Sequence, residues 1–192
     1  MRDLVYTGFM SLDGVLDSPG GGPGEDHRSG GWVVKDIEFV PEAFSLKGEE
    51  LAETTALMFG RRSYETFAPL WRESADHAVY KDLPKYVVSS SLSEDALVDG
   101  WGPTTILRST DDVTALKKSE GGAVFIHGSA ELARRLADAS LIDRYHLLVF
   151  PVLLGAGKGL FSDADRDKQV LRLRDSAAYA NGIVKLIYDV VD

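Results

Sequence analysis

The sequence predicts an α/β fold in which helices flank a mixed β-sheet. Short apolar runs typical of buried strands alternate with segments of helical period, and the last two strands are joined by the hairpin signal Asn181-Gly182. The 192 residues are 44% hydrophobic, which suffices for one substantial core. Because no repeat, charge block or linker divides the chain, we expect a single domain over residues 1–192.

The chain opens with a strand and a long loop. Residues 4–12 are apolar on both faces, as in a strand that is covered on both sides. Eight of the fourteen positions in 18–31 are Gly or Pro, so this segment is predicted to be a loop that closes on Trp32. Loops of this length are usually active-site lids or mobile insertions, and both interpretations stay open.

The later helices and strands are predicted from the spacing of apolar residues, from helix-capping residues and from prolines that end helices. Pro41 suits the first turn of one helix, Pro69 is expected to end another, and Thr110 or Asp111 is expected to cap a third. The predicted helices span 40–55, 61–68, 110–119 and 129–139. The predicted strands span 56–60, 86–92, 104–108, 123–128 and 142–154, with a strand pair in 171–191.

Charge and cysteine usage limit the classes of partner. Thirty acidic and twenty-one basic residues give a formal net charge of −9, which repels nucleic acid and anionic lipid surfaces. The longest apolar run, 147–157, is shorter than a membrane span needs, and the N-terminus has no signal-peptide pattern. The absence of cysteine fits a reducing compartment. We therefore expect a cytoplasmic protein with neither a nucleic-acid nor a membrane partner.

Several catalytic motifs are incomplete. GAGKGL at 155–160 lacks the first glycine and the Ser or Thr of a phosphate-binding P-loop. The four histidines have no metal-ligand spacing, and His146, inside an apolar strand, is interpreted as a hydrogen-bonded core residue. No serine-hydrolase elbow is present. We therefore expect no metal site, triphosphatase or serine hydrolase.

Three strand-to-helix junctions combine small residues, hydroxyls and positive charge. The carboxyl ends of strands in α/β sheets collect ligands, and glycine lets a ligand approach the backbone. Adjacent arginines provide forked donors that suit a phosphate monoester. Alone, each junction is typical of ordinary turn chemistry or a solvated helix start, but together they predict a dinucleotide site. Its residues are Gly60, Arg61, Arg62 and Ser63; Ser89 and Ser90; Gly128, Ser129 and Ala130.

With these motifs in order, the chain resembles the dihydrofolate reductase-like proteins. The resemblance is greatest to the group that includes the C-terminal reductase domain of bacterial riboflavin biosynthesis enzymes. It covers nearly the whole chain. The matching motifs are SLDG (11–14), GGW (30–32), GRRSYE (60–65), VSSSL (88–92), HGSAELARRL (127–136) and DRYHLLVFPVLLGAGKGLF (143–161).

The resemblance implies a mostly parallel sheet with a C-terminal antiparallel hairpin, NADPH as cofactor, and a homodimer. It places the 2′-phosphate at Arg61, Arg62 and Ser63, with Arg61 favoured, and the adenosine at Ser89 and Ser90. The pyrophosphate would lie at Gly128, Ser129, Ala130 and Glu131, where many relatives have two glycines in place of Gly128-Ser129. The loop after Asp13 and the turn containing Gly155 would cover the nicotinamide.

The residues expected to contact the substrate depart from the dihydrofolate reductase pattern. Those enzymes hold the pterin with a carboxylate on the first helix, and the matching position here is Phe44. Phenylalanine cannot supply a carboxylate, so Phe44 and Trp32 are predicted instead as apolar substrate contacts. Asp13 is the candidate for substrate orientation or proton supply, and the alternative interpretation is a turn residue before Gly14.

The predicted function is an NADPH-dependent reductase. It would pass a hydride to a C=N or C=O carbon of a small pterin-like or pyrimidine-like heterocycle. Two alternatives stay open: a riboflavin-pathway ribosylaminopyrimidine reductase, and a binding module that holds NADP without turnover.

Overall fold

One eight-stranded sheet organises the chain. The computed structural model describes residues 1–22, 26–161 and 168–191. Within them the strand order is β4-β3-β2-β5-β1-β6-β8-β7. The strands are β1 Leu4–Ser11, β2 Ala56–Gly60, β3 Lys85–Val88, β4 Thr104–Leu107, β5 Val124–His127, β6 Arg144–Phe150, β7 Val170–Ala178 and β8 Val184–Val191.

The pairing confirms the predicted fold class. Strands β1 to β6 pair with one another in parallel, whereas β8 is antiparallel to both β6 and β7. The predicted hairpin joins β7 to β8, and Gly182 adopts the positive φ of 82° that this turn requires. Parallel pairing brings the carboxyl ends of β1 to β5 to one edge, which sets the position of the site.

Helices cover both faces of the sheet. The α-helices are α1 Trp32–Lys35, α2 Ser45–Glu53, α3 Arg61–Glu73, α4 Thr110–Lys118 and α5 Ala130–Asp138, and short 3-10 helices span Pro41–Phe44, Ala75–Tyr80 and Glu94–Ala96. On one face α5 packs Leu132 and Leu136 against Tyr6 and Ile126. On the other face lie two further apolar clusters, one around Trp32 and Phe150 and one around Phe59 and Trp101.

Helix α3 continues through Pro69 to Glu73, so the prediction that it ends at Ala68 was wrong. Proline removes a backbone donor and costs about 3 kcal/mol in a helix interior. The apolar period of the helix nevertheless crosses the proline: Tyr64 and Ala68 are buried, and Trp71 packs on Phe59 at a ring distance of 5.9 Å. Burial of this continued face offsets the cost of the proline.

Other boundaries differ by a few residues. Helix α4 is capped by Ser109 rather than Thr110 or Asp111, because the Ser109 and Asp112 side chains form a reciprocal capping box. Strand β3 ends at Val88, since the Ser89 hydroxyl accepts from the amides of Ser91 and Leu92 and forms a turn. The segment predicted as one helix over 40–55 is a 3-10 helix followed by α2.

The described part of the loop 18–31 is fixed at its base. The indole of Trp32 donates to the Asp17 carbonyl at 2.8 Å, and the Gly31 amide donates to the Ser18 carbonyl at 2.9 Å. Residues 23–25 of this loop lie outside the described residues. In the described ranges, no helix has both the length and the apolar character that crossing a membrane requires.

Candidate active site

A cleft of about 480 Å³ runs along the carboxyl edge of the sheet. This volume is within the range usual for small-molecule sites. The ends of β2, β3, β4 and β5 and the segment after β1 contribute to its wall. Of the residues predicted from sequence, the wall contains Gly60, Arg61, Arg62, Ser63, Ser89, Ser90, Gly128, Ser129, Ala130 and Glu131.

Two helix starts open into this cleft. Helices α3 and α5 begin at Arg61 and Ala130, and neither N-terminus is capped by a side chain. Their first backbone N–H groups are free of intrahelical partners, and the positive ends of the helix dipoles lie here. This arrangement suits anionic groups.

A hydrogen bond joins the two helix starts. The Gly60 amide donates to the Ser129 hydroxyl oxygen at 2.7 Å. Ser129 adopts the left-handed region at φ 57°, directly after Gly128 at φ 59°. A serine in this region carries strain that glycine would avoid, and the bond to Gly60 is what the serine gains in return. This bond gives a physical reason why a serine is tolerated in the left-handed region here.

Both predicted arginines reach the cleft wall. The Arg61 guanidinium donates to the Ser91 hydroxyl at 3.1 Å and lies 3.7 Å from the Glu65 carboxylate. Both Arg61 and Arg62 are exposed, so each can turn toward a ligand. The structure therefore brings the two together and leaves the preference for Arg61 as a prediction.

Arg108 is a further cleft residue that sequence reasoning missed. One of its guanidinium nitrogens donates to the Leu92 carbonyl at 2.6 Å and to the Ser89 carbonyl at 3.1 Å. These bonds fix the turn that carries Ser89 and Ser90. A signal was available, because Arg108 is the last residue of a predicted strand, and cleft residues collect at strand ends.

The cleft is basic although the protein is acidic. Its wall contains five basic residues (Arg61, Arg62, Arg108, Arg135 and Lys158) against two acidic ones (Asp17 and Glu131). Both carboxylates are paired, Glu131 with Arg135 at 2.7 Å and Asp17 with Lys158 at 3.6 Å. The remaining arginines give a local positive field within a chain of net charge −9.

Asp13 and Gly155 are hydrogen-bonded to each other, and neither lies in the wall of the cleft. The Asp13 carboxylate accepts from the Ser11 hydroxyl at 2.6 Å and from the Gly155 amide at 2.7 Å. These hydrogen bonds, with that from the Leu154 amide, lower the pKa of Asp13 to about 2. The carboxylate is thus ionised at neutral pH and holds the 153–155 turn in place. The Gly155 amide is engaged in this contact, and the roles of Asp13 and Gly155 in the reaction stay predictions.

The two aromatic substrate candidates differ in exposure. Trp32 is 1% exposed and packs on Phe150 at a ring distance of 5.4 Å, as a core residue does, and its role as a substrate contact stays a prediction. Phe44 is half-buried and stacks on Phe39 at 5.3 Å. Phe44 keeps an open surface and stays a candidate.

Comparisons with known proteins agree with this geometry. The model of the RibD C-terminal domain matches residues 2–185. The chain belongs to the RibD C-terminal domain family.

Individual relatives extend the comparison. The uncharacterized protein YyaP of Bacillus subtilis (strain 168) is 26% identical over 194 residues, which cover 97% of this chain and 94% of that protein. A crystal structure of a putative riboflavin biosynthesis protein from Shewanella sp. PV-4 superposes with a TM-score of 0.75 at 16% identity, covering 99% of both chains.

More distant structures share the fold. Dihydrofolate reductase from Enterococcus faecalis, complexed with NADP(H) and RAB-propyl, has a TM-score of 0.57 at 16% identity and covers 99% of this chain and 97% of its own. A pyrimidine reductase-like protein from Corynebacterium diphtheriae has a TM-score of 0.58 at 14% identity, covering 99% and 92%. The fold of this RibD C-terminal domain is thus of the dihydrofolate reductase type.

This RibD C-terminal domain also contains a buried polar cluster that sequence reasoning missed. Glu50 on α2 is 1% exposed, and its carboxylate accepts from the Thr7 hydroxyl at 2.6 Å and contacts His146 Nδ1 at 3.0 Å. Lys47 lies 3.1 Å from the same carboxylate. The contact made by His146 agrees with its interpretation as a hydrogen-bonded core residue. Glu50 gave no local signal, because its partners on the sheet are distant in sequence.

Proposed function

We propose that the protein is an NADPH-dependent reductase that passes a hydride to a C=N or C=O carbon of a small heterocycle. The observation that carries this proposal is the basic cleft at the carboxyl edge, where two uncapped helix starts and three arginines (Arg61, Arg62 and Arg108) converge in an acidic protein. Membership of a reductase-type family supports it. So does the NADP(H) complex of the structurally similar dihydrofolate reductase.

The residues present fit this cofactor. Arg61, Arg62 and Ser63 would hold the 2′-phosphate, since exposed guanidinium groups at a helix start offer forked, charged donors. Ser89 and Ser90 would contact the adenosine. The Gly128 to Glu131 segment would hold the pyrophosphate with the first amides of α5. Arg108 would support the adenosine contacts indirectly, because its hydrogen bond to the Ser89 carbonyl fixes the turn that carries Ser89 and Ser90.

When bound, NADPH would supply the hydride. The chain's own contribution is to hold donor and acceptor in reacting geometry and to exclude water from between them. Asp13 would contribute indirectly, because it fixes the turn at Leu154 and Gly155 beside the end of β1.

A pyrimidine acceptor of the riboflavin pathway is the second candidate. The family and the likeness to a pyrimidine reductase-like protein favour this class over folate. The homodimer implied by the resemblance and the cytoplasmic location expected from composition stay predictions.

Cofactor preference provides the test. We expect NADPH to bind far more tightly than NADH, because only NADPH has the 2′-phosphate. Each charge-assisted hydrogen bond contributes about 1.5–3 kcal/mol, so Arg61→Ala and Arg62→Ala should each reduce the NADPH preference by about tenfold or more. Isothermal titration calorimetry with both cofactors measures this, and Arg172→Ala, on the exposed strand β7, is the matched control.

Turnover distinguishes an enzyme from a binding module. NADPH absorbance at saturating cofactor would be followed with a panel of pterins, pyrimidines and quinones. Equal affinity for NADPH and NADH would contradict the cofactor assignment. Tight NADPH binding with no oxidation by any acceptor would favour the non-catalytic alternative.

A further inference from the structure

A row of polar side chains crosses the sheet face that α2 covers. Thr7 on β1 pairs in register with His127 on β5 and His146 on β6, so the three side chains lie side by side on adjacent strands. Helix α2 places Glu50 over this row. Apolar clusters flank the row on both sides, so the carboxylate lies inside the core.

Glu50 is an anion in this environment. Burial alone would raise the pKa of Glu50, but the charge of Lys47 and the hydrogen bonds from His146 and Thr7 lower it to about 2. Burial also lowers the pKa of His127 to about 3, against the opposing charge of Glu50, so His127 is neutral. Lys47 is thus the cation that faces Glu50 from the same helix.

The Lys47–Glu50 pair is open on one side only. The Glu50 side chain has no exposed surface, whereas the Lys47 side chain is 30% exposed. The ammonium donates to the Thr7 hydroxyl and to the Glu50 carboxylate. An ammonium has three donors, so one remains for a group arriving from outside.

The open side of Lys47 faces aromatic surface. Its ammonium lies 5.1 Å from the ring centroid of Phe9, and Phe9 contacts Phe44 at a ring distance of 6.0 Å. Both rings are half-buried. Phe9 is two residues nearer than Thr7 to the carboxyl end of β1, and Phe44 precedes α2 at the same edge. A fixed cation therefore stands beside flat apolar surface at the sheet edge that carries the cleft.

We propose that Lys47 binds the acceptor substrate, through a carboxylate or ring-carbonyl oxygen of a flat molecule that lies against Phe9 and Phe44. Thr7 and Glu50 are positioning residues that hold the ammonium. The proposal rests on the proposed reductase function only in calling the ligand an acceptor.

A matched pair of flat probes tests this assignment. We would titrate 2-naphthoate and 2-naphthamide into the NADP⁺-saturated protein and into the protein alone by isothermal titration calorimetry. We expect the naphthoate to bind about tenfold more tightly, as one charge-assisted contact would give. A ratio near one in the unmodified protein would overturn the proposal.

Variants assign the preference to Lys47. Because Lys47→Met leaves Glu50 buried without its cation, Lys47→Met with Glu50→Gln is the second variant, and thermal unfolding checks that both fold. The naphthoate preference should fall to about one in each folded variant and return in Lys47→Arg. A preference that survives in the double variant would overturn the proposal, as would one that Arg61→Ala with Arg62→Ala abolishes while Lys47→Met does not.

A positioning role for Thr7 has its own readout. Thr7→Val keeps the side-chain shape but removes the hydroxyl, so the probe preference should fall at least threefold and Thr7→Ser should restore it. A purely structural hydroxyl would change the unfolding temperature without changing the preference, which would contradict the role. These titrations need no turnover and are also made without cofactor, so failure to bind NADPH would refute the proposed function separately.

Discussion

Three side chains from three different elements stabilise the buried, ionised carboxylate of Glu50. Thr7 comes from β1, His146 from β6 and Lys47 from the preceding turn of α2. Removing one partner of a buried ion pair typically costs about 3–5 kcal/mol, because the other charge is left without compensation. The cluster therefore stabilises one position of α2 against the sheet.

The dependence of stability on acidic pH should reveal the low pKa of Glu50. Its folded pKa of about 2 is below the value of about 4.3 for an unfolded glutamate, so its contribution is complete above about pH 4.3 and is lost as pH falls toward 2. We expect the stability difference between the wild type and Glu50→Gln to shrink by about 3 kcal/mol over this window. Urea unfolding between pH 2 and 7 measures it.

Other carboxylates titrate in the same range, so the difference between the two proteins is the relevant quantity. Asp175→Asn is the control: it removes an exposed carboxylate that pairs with the buried Lys185, and because solvent screens an exposed carboxylate it should show a smaller pH-dependent difference. A wild-type to Glu50→Gln difference that stays constant from pH 7 to 2 would contradict the assignment of a low pKa to Glu50.

At the scale of elements, the turn between β5 and α5 determines how α5 begins. Gly128 has φ 59°, and a Cβ added there would lie 3.0 Å from the Phe67 ring on α3. Two constraints thus converge on one glycine: a left-handed backbone and close contact with a neighbouring helix. The amides at the start of α5 depend on this turn for their direction.

Replacing Gly128 should damage both folding and ligand binding. We expect Gly128→Ala to lower the free energy of unfolding by about 1–2 kcal/mol, since alanine is strained in the left-handed region and the Phe67 ring must shift. NADPH affinity should fall as well. Chemical denaturation and calorimetry measure the two effects.

Gly48 provides the matched control. It lies in α2, and an added Cβ would meet nothing within 4 Å. Gly48→Ala should therefore raise stability by about 0.5–1 kcal/mol, because alanine loses less backbone entropy in a helix. Equal effects of the two substitutions would show that backbone conformation at Gly128 is unimportant.

At the scale of the whole molecule, two electric fields oppose each other. The net charge of −9 repels an anionic ligand, whereas the basic wall of the cleft attracts it. At an ionic strength of 0.1 M, exposed charges act over about 10 Å, so the arginines in the wall should outweigh the distant acidic surface.

Salt should therefore weaken NADPH binding. We expect the NADPH dissociation constant to rise several-fold between 50 and 500 mM NaCl (~10-fold change in ionic strength), because screening reduces the local attraction more than the distant repulsion. Fluorescence titration at several salt concentrations measures this. Affinity that increases with salt would mean that the global negative field dominates.

Sequence reasoning reached the sheet and the cleft because their signals are local. Strand ends, glycines and adjacent arginines can be identified from neighbouring residues, and the structure brings those of Gly60 to Ser63 and Gly128 to Glu131 into one wall. The prediction that α3 ends before Pro69 was wrong because the apolar period of the helix continues to Trp71. That period outweighs the local helix-breaking effect of proline.

Glu50 marks the limit of such reasoning. Next to Glu49 it has the pattern of a solvated helix face, yet it is the buried one of the two. Its identity as a core residue depends on Thr7 and His146, which are 43 and 96 residues away. A contact between such distant positions leaves no periodic signal in one sequence.

The hydrogen bond between Gly60 and Ser129 has a consequence for which ligands fit. It ties the starts of α3 and α5, which follow neighbouring strands, so their separation is set by the sheet rather than by loops. Strand neighbours keep a spacing of about 4.8 Å, and the two proposed anion subsites at the helix starts would share that fixed geometry. We therefore expect the cleft to select ligands by the distance between their negatively charged groups, independently of the contacts that their rings make.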